Sequence, residues 1–292
     1  MTIRLLRTLV AVADTRTFSA AAVEVRVTHA AVSQQMQTLE ADLGLALFNR
    51  DTRTPELTPI GHDVVRKARQ LIADYDNLAP SVLGDDGLSG VVTLGALRTT
   101  LTGLTPHAMA RLKDRFPALG IHIRPGLTET LLADISRGSV DAAIVTRPHL
   151  LPADIAFKDL AREPLQLIAH AQDPLDDPIA LLHSRPFIRF NRRAVLGTLI
   201  ENWLVANKVR VTEAMELDSP EAITSMVQAN LGVSIVPDLV VKPLEQVAVK
   251  RVALGTDAPT RLLGLAYRKD HIKTRLLDEV FAALSDVIAE AS

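Results

Sequence analysis

Five polar side chains recur at helical spacing within residues 28–37 of this chain. Their groups are hydroxyls, an imidazole and two carboxamides. A glutamine carboxamide can pair with adenine in the major groove of DNA, and the free N–H groups at a helix start can bind phosphate. This set therefore predicts a helix face that contacts DNA. The five residues are Thr28, His29, Ser33, Gln34 and Gln37.

Two short helices with a tight turn between them are needed to present that face. The first is predicted to begin at Ser19 and to contain the small residues 20–22, and the second to run from Thr28 through Glu40. Ser19 and Thr28 each stand where a side chain can cap a helix N-terminus. Such a helix-turn-helix can place its second helix in the major groove. An ordinary amphipathic helical hairpin is the alternative that the pattern alone leaves open.

A longer pattern surrounds these two helices. The chain reads FSAAAVEVRVTHAAVSQQMQTLEADLGLALFNR from Phe18 and LTPIG from Leu57. This spacing resembles the N-terminus of LysR-type transcriptional regulators, and the length and later layout of the chain also suit that family. The resemblance implies a winged helix-turn-helix domain that binds DNA. The matching residues are Phe18, Ala21, Ala22, Val27, Thr28, Ala31, Val32, Ser33, Gln35, Leu39, Glu40, Leu43, Gly44, Leu47, Phe48, Arg50, Leu57, Thr58 and Gly61.

Three positions of the predicted recognition helix depart from the family pattern. The family's Gln-Pro at the start of this helix is replaced by His29 and Ala30, and Gln34 stands where an arginine is often found. The resemblance implies that these positions face DNA. No consensus operator of the family is therefore assumed for this chain.

A short hairpin with a charged turn is predicted over residues 45–58. In winged helix-turn-helix proteins, this hairpin reaches the DNA backbone or the minor groove. Arg53 is the residue that we place there, and a solvated turn arginine is the alternative reading. Arg50, which matches the family pattern, completes the predicted DNA-binding set together with Ser19 and Ala30.

A long helix is predicted next, over residues 59–84, with Thr58 as its cap and Pro59 at its first position. Its apolar residues recur in steps of three and four, close to a heptad seam. An exposed seam needs a partner, and the resemblance implies antiparallel pairing with the same helix of another subunit, in a homodimer or homotetramer. Packing of the helix on its own domain is the alternative. The seam residues are Ile60, Val64, Ala68, Leu71, Tyr75, Leu78 and Val82.

Beyond a hinge rich in glycine and aspartate, predicted strands and helices alternate to the end of the chain. This alternation indicates a parallel sheet covered on both faces. Two such α/β lobes in series resemble the periplasmic-binding-protein type of effector domain, and the resemblance implies that the last helix returns to the first lobe. The predicted divisions are a mainly α winged helix-turn-helix domain over 1–58, a linker helix over 59–84, a hinge over 85–90 and an effector domain over 91–292. Within the effector domain, lobe 1 is predicted at about 91–162 and 268–292, and lobe 2 at about 163–267.

Hydroxyl and guanidinium groups follow the ends of several predicted strands. In open α/β sheets, ligands bind beyond the carboxyl ends of the strands, near helix N-termini. Such groups suit a carboxylate or another small anion. Family members place their effector between the two lobes, so we expect Thr99, Thr100 and Thr128 to contribute most, although each can also be a plain helix cap. The predicted effector-binding residues are Arg98, Thr99, Thr100, Thr128, Thr146, Arg147, Asn191 and Arg192.

The composition limits the chemistry that this chain can perform. Its net charge is −2, and residues 1–70 hold nine basic and seven acidic side chains, so placed residues must contact DNA rather than a broad basic field. The chain has no cysteine, which excludes disulfides and thiolate metal sites. Its eight histidines form no metal-ligand pair at helical spacing, and no phosphate-binding loop is present. We therefore expect no catalytic residue, no metal and no cofactor.

No signal peptide opens the chain, since Arg4 and Arg7 interrupt its start, and no apolar run approaches the ~18–20 residues of a membrane helix. We expect a cytoplasmic protein without membrane contact. Its expected function is transcription regulation on double-stranded DNA with an interrupted palindrome, under a small anionic effector, and the resemblance implies RNA polymerase as a further partner. The alternative is a solute-binding protein of a transport system, which would need a signal peptide and would not need residues 1–84.

Overall fold

The structure is a computed structural model that describes residues 1–49, 55–76, 78, 88, 90–243, 247–271 and 273–291. The chain divides into two compact units. One comprises Met1–Gly90 with Arg137–Ser139, and the other comprises Val91–Ser136 with Val140–Ser292.

The described residues of the first unit form four helices. Buried leucine, valine and methionine side chains from the first three helices meet in one core, to which Val65 and Ala68 of the fourth helix contribute. Because these apolar residues recur at helical spacing, each helix buries one face and leaves the other to solvent. The helices are α1 (Ile3–Thr15), α2 (Phe18–Glu24), α3 (His29–Leu43) and α4 (Pro59–Asp76).

Two hydroxyl caps fix the starts of α2 and α3. The Thr28 Oγ1 accepts a hydrogen bond from the N–H of Ala31 at 3.2 Å, which confirms the predicted cap of α3. The prediction that Ser19 caps α2 was wrong. The helix begins at Phe18, so the capping oxygen is that of Thr17, which accepts from the N–H of Ala20 at 3.1 Å.

The base of the predicted hairpin follows α3. Gly44 ends that helix in the left-handed conformation, with φ of 65°. Phe48 and Leu57 then form an isolated antiparallel bridge. The Glu40 carboxylate accepts from the N–H of Leu47 at 2.6 Å, which ties the hairpin base to α3. The turn itself, with Arg50 and Arg53, lies outside the described residues.

The start of α4 is packed tightly against the hairpin. The Thr58 Oγ1 accepts from the N–H of Gly61 at 2.9 Å, which confirms Thr58 as the cap. A Cβ atom on Gly61 would lie 2.2 Å from the carbonyl oxygen of Leu47, so only glycine fits there. Among the predicted seam residues, Ala68 is buried in the core of the unit, whereas Ile60, Leu71, Tyr75 and Leu78 are exposed; Val82 lies outside the described residues.

The second unit contains nine strands and six helices among its described residues. The strands are β1 (Gly90–Ala96), β2 (Leu119–Pro125), β3 (Ala142–Thr146), β4 (Ile155–His170), β5 (Phe187–Phe190), β6 (Glu213–Leu217), β7 (Ser234–Pro237), β8 (Val249–Ala253) and β9 (Thr260–Arg268). The helices are α5 (Leu104–Arg115), α6 (Thr128–Ser136), α7 (Pro178–Ser184), α8 (Val195–Ala206), α9 (Pro220–Gln228) and α10 (Thr274–Ala291).

The main sheet has the strand order β2-β1-β3-β9-β4-β7, and β8 also pairs with β4. Strands β1 and β3 are parallel, as are β5 and β6 in a separate sheet. The prediction of a parallel sheet was wrong at β4 and β9. Strand β9 runs antiparallel to both β3 and β4, and β4 also runs antiparallel to β7 and β8. The physical reason is that β4 leaves the first lobe and β9 returns to it, so the two neighbouring strands run in opposite directions.

Two of the three cores in this unit show how the crossing strands join the two lobes, and the third packs α6 against β3. In one core, β1, β3 and part of β9 pack against α5 and α10, so the last helix does return to the first lobe. In the other core, the end of β4 packs with β5, β7 and α8. Leu263 and Leu265 of β9 belong to the first core, and Leu165 and Leu167 of β4 belong to the second.

We predict that Leu71→Asp converts the assembled protein into monomers in sedimentation velocity. The side chain is about half exposed on α4, and a carboxylate there would have to be desolvated in any paired seam. His62→Asp is the matched control, because nine helical positions place the exposed His62 on the opposite face of α4. Full-size assemblies that persist in Leu71→Asp would show that this face of α4 does not hold the subunits together.

Candidate functional site

The surface of α3 is divided into a buried and an outward face. Val32, Met36 and Leu39 are buried against α1 and α2, which leaves the predicted DNA-binding residues on the other side. Ser19 is also exposed, at the start of α2. The outward residues of α3 and its cap are Thr28, His29, Ala30, Gln34 and Gln37, which are exposed, and Ser33, which is half-buried.

Contacts at both ends of this face fix its orientation. The His29 ring lies 6.0 Å from the Phe18 ring, and Phe18 packs edge-on against Phe48 at 5.6 Å. The Thr8 hydroxyl of α1 donates to the Gln35 carboxamide at 2.6 Å. Gln35 is therefore held by the core, and the neighbouring carboxamides of α3 remain on the outward face. A helix N-terminus of this kind favours an anion, because its first N–H groups and its dipole point outward.

A cleft in the second unit brings together four of the eight predicted effector-binding residues. It encloses about 350 Å³ of space, including the part open to solvent. Its polar wall comes from the turn that follows β1, the start of α6 and the end of β3. The lining residues are Leu97, Arg98, Thr99, Gly126, Leu127, Thr128, Thr146, Phe190, Ala194, Val195, Leu196, Asp218 and Arg261.

The other four predicted residues lie outside this cleft. The Thr100 hydroxyl donates to the carbonyl of Leu97 at 2.9 Å within its own turn. The Arg147 side chain pairs with Asp159 at 3.3 Å, and the Asn191 carboxamide oxygen accepts from the N–H of Arg193 at 2.9 Å. Arg192 pairs with Glu213 and Glu216. With Arg189, it holds the pKa of the Glu213 carboxyl below its ordinary value through hydrogen bonds.

Arg261, which lines the cleft, belongs to a buried ion pair. Glu163 of β4 and Arg261 of β9 face each other directly across the two strands. Arg261 is only 1% exposed, and its Nε donates to Glu163 Oε2 at 2.6 Å. Its Nη2 lies 2.5 Å from the same oxygen but makes no well-angled hydrogen bond. Burial lowers the pKa of Arg261, and the Glu163 charge opposes that shift.

This ion pair directs the hydroxyl of Thr99. The Arg261 Nη1 donates to Thr99 Oγ1 at 2.8 Å, so the Thr99 hydroxyl proton is free to donate to an acceptor in the cleft. Among the described residues, the Thr128 hydroxyl has one hydrogen-bond partner, the carbonyl of Thr146, at the long distance of 3.4 Å. Sequence reasoning missed Arg261, because an arginine beside a strand end is most often a solvated surface residue.

A second pair spans the mouth of the cleft. The Arg98 guanidinium lies 3.5 Å from the Asp218 carboxylate, and both side chains are half exposed. A pair in such surroundings contributes little stability, so an anion from solution can compete with Asp218 for Arg98. The cleft therefore presents hydroxyl and guanidinium donors on a largely apolar wall.

Fold and site together define a helix-turn-helix protein with an α/β ligand-binding domain. The family model described as "Bacterial regulatory helix-turn-helix protein, lysR family" matches residues 3–62, and "LysR substrate binding domain" matches residues 85–289. The chain belongs to the LysR family of bacterial transcriptional regulators. It is a DNA-binding regulator with an effector-binding domain, of a family that binds small molecules and forms oligomers.

Named relatives match along nearly the whole chain. The HTH-type transcriptional regulator IlvR of Caulobacter vibrioides is 30% identical over 279 residues, which cover 92% of this chain and 93% of that protein. The HTH-type transcriptional activator IlvY of Salmonella typhimurium is 28% identical over 295 residues, with 97% and 99% coverage.

Solved structures share the fold. A full-length OxyR variant from Pseudomonas aeruginosa superposes with a TM-score of 0.75 at 24% identity, covering 97% of this chain and 94% of that one. Full-length CbnR complexed with its target DNA superposes with a TM-score of 0.62 at 19% identity, covering both chains completely. Within the part of the chain that the structure describes, no helix is long and apolar enough to cross a membrane, and no cluster of metal-ligating side chains occurs.

We predict that Glu163→Leu lowers the free energy of unfolding by about 3–5 kcal/mol, because it leaves Arg261 buried without a counter-charge. The double variant Glu163→Leu/Arg261→Met should recover part of that loss, since no unpaired charge stays buried, although the Val240 N–H and the Thr99 hydroxyl lose their partners. Urea unfolding followed by the fluorescence of the single tryptophan, Trp203, measures both. Glu279→Leu, which breaks a more exposed pair with Arg115, is the control and should cost less than about 1 kcal/mol. A double variant no more stable than Glu163→Leu would contradict this account.

Proposed function

We propose that this LysR-family regulator binds a small anion in the cleft and that the anion changes its binding to DNA. The observation that carries the proposal is the Thr99 hydroxyl. It accepts from a buried guanidinium and therefore has its proton available to a bound acceptor. Arg98 and the start of α6 add a cation and helical N–H groups around the same space. These donors suit a carboxylate better than a cation or a neutral apolar molecule.

The size of the cleft supports a small effector. Its roughly 350 Å³ includes space open to solvent, so the enclosed part is smaller than this figure and excludes a bulky molecule. The Glu163–Arg261 pair is neutral as a whole, so the net positive charge near the ligand comes from Arg98 once Asp218 is displaced. A carboxylate of a few carbon atoms, with its body against Leu127 and Phe190, matches this arrangement. We propose Thr99, Thr128, Thr146 and Arg98 as its contacts.

The outward face of α3 is the proposed DNA reader. In this proposal, the helix enters the major groove, and a second subunit places its own helix in the next groove of an interrupted palindrome. CbnR, which shares the fold and was solved in complex with its target DNA, supports this use of the fold. The proposed DNA contacts are Ser19, Thr28, His29, Ala30, Ser33, Gln34 and Gln37, together with Arg50 and Arg53, which lie outside the described residues.

We further propose a homotetramer in the cytoplasm, without catalytic activity, that acts on transcription with RNA polymerase as a partner. The exposed Ile60, Leu71 and Tyr75 on α4 support pairing of this helix between subunits. We retain 1–58, 59–84, 85–90 and 91–292 as its proposed divisions. A solute-binding protein of a transport system is not favoured, because a helix-turn-helix model matches residues 3–62.

We predict that Gln37→Ala weakens specific operator binding by about 1–3 kcal/mol, because it removes an exposed carboxamide that can read a base edge. Alanine keeps the helix, so the fold should be unchanged. Gel shifts on the DNA upstream of the protein's own gene measure the effect. Gln228→Ala removes an exposed glutamine at the end of α9 in the second unit and should bind as the unaltered protein does. Equal affinities for the two variants would remove Gln37 from the proposed interface.

We predict that Thr128→Val lowers the affinity for the effector by about tenfold while operator affinity without effector stays the same. The change keeps the shape of the side chain and removes a hydroxyl whose only described hydrogen bond is long, so about one hydrogen bond is lost. A thermal-shift screen of small carboxylates and amino acids identifies the effector, and titration of each variant gives the affinity.

Thr198→Val is the matched control for this experiment, because Thr198 of α8 does not line the cleft. The two variants should differ in effector affinity and agree in operator affinity. If no carboxylate raises the melting temperature, or if Thr128→Val and Thr198→Val respond alike, the proposed site is wrong.

A further inference from the structure

A second cavity in the same unit is larger than the cleft and shares no lining residue with it. It encloses about 1270 Å³, including the space open to solvent. One wall is the first two turns of α9, and the opposite wall is the segment that follows β7. Thr102, three residues after Thr99, lies on its rim. Neither the effector cleft nor the DNA-binding face accounts for this space.

The interior of this second cavity is mainly apolar. The apolar part of the lining comes from Pro220 at the start of α9, from Val236 and Pro237 at the end of β7, and from Leu239, Pro243 and Val247 beyond it. Such a surface, recessed and lined by branched and cyclic side chains, suits the apolar body of a ligand. A fully charged metabolite would lose hydration there without gaining partners.

The charged and hydroxyl groups at the rim determine which polar group a ligand needs in addition to its apolar body. The Glu221 carboxylate is occupied, because it accepts from Thr102 at 3.0 Å and from Ser219 at 2.7 Å. Lys242 is paired with Asp238. Arg251 of β8 is exposed, and no carboxylate among the described residues pairs with it.

The hydroxyls of the helix wall are also used internally. Thr224 donates to the carbonyl of Pro220 at 2.7 Å, and Ser225 donates to the carbonyl of Glu221 at 2.9 Å. The hydroxyl protons of Thr224 and Ser225 are therefore already used in hydrogen bonds within α9. Arg251 is left as the charged donor that this cavity offers to a ligand.

We propose that the second cavity binds an amphipathic anion, with its apolar body against Val236, Pro237 and Leu239 and its anionic head at Arg251. The chemical class is a carboxylate or sulfonate on a hydrocarbon or aromatic body, larger and more apolar than the effector of the cleft.

The position of this cavity connects it to the cleft. The Thr102–Glu221 hydrogen bond joins the segment after β1 to the start of α9. Leu239 precedes Val240, whose N–H donates to Glu163 at 2.9 Å, and Glu163 holds the Arg261 that directs Thr99. A ligand in the second cavity thus contacts two segments that position the effector contacts. This last connection rests on the proposed function of the cleft, whereas binding in the second cavity does not.

The test uses the full-length protein and the fluorescent probe 1-anilinonaphthalene-8-sulfonate, which combines an aromatic body with one sulfonate. Titration should show a saturable component that Arg251→Glu weakens at least tenfold. Arg210→Glu makes the same charge change on an exposed residue of this unit that lines neither cavity, and it should leave the affinity within twofold. Ser225→Trp, which places an indole from the exposed face of α9 into the cavity, should remove the component.

Competition then tests the ligand class. Octanoate should displace the probe, and octanol at the same concentration should not. Equal effects of Arg251→Glu and Arg210→Glu, or full probe binding in Ser225→Trp, would overturn the site, and equal displacement by octanol would overturn the anionic head. Probe binding is measured without effector and needs no residue of the cleft, so a failure of the cleft proposal and a failure of this one remain distinguishable.

Discussion

The ion pair between Glu163 and Arg261 is the constraint on which the effector domain depends. It lies where two long antiparallel strands pass from one core to the other, and both charges are removed from water. Such charges must stay paired, because an unpaired buried ion costs several kcal/mol. The pair also fixes the hydroxyl of Thr99, so the same interaction that joins the strands sets the donor direction in the cleft. The crossing of the strands and the proposed ligand contacts therefore depend on the same ion pair.

In the DNA-binding domain, the proposed reading surface lies on the side of α3 that the core does not bury. Val32 and Leu39 are fully buried, whereas Gln34 and Gln37 between them are exposed on the other side of α3. Thr28 fixes where the helix begins, and Glu40 ties its far end to the hairpin base. Reading of the major groove requires a rigid helix whose exposed polar side chains can reach base edges. The departures from the family pattern at His29, Ala30 and Gln34 change the side chains on the exposed face of α3 without changing the contacts that hold the helix.

Local patterns predicted the local structure well, and non-local pairing explains what they missed. The cap at Thr28, the start of the long helix at Thr58 and the end of α3 at Gly44 follow from side chains within one turn. The antiparallel return of β9 depends on how two distant segments pair, and strand periodicity carries no such information. Thr99 and Thr128 could be placed near one another by the strand-end rule, whereas Arg261 becomes part of the cleft only because Glu163 is its partner across the sheet.

The central claim is that one chain joins sequence-specific DNA reading to the sensing of a small anion. Footprinting of the full-length protein on the DNA upstream of its own gene, with and without a small carboxylate selected by binding, tests both halves together. The account predicts discrete protected blocks about one helical turn apart, centre to centre, or a multiple of that distance, whose extent changes when the carboxylate is added. Uniform protection without discrete blocks, or blocks that a saturating carboxylate leaves unchanged, would contradict it.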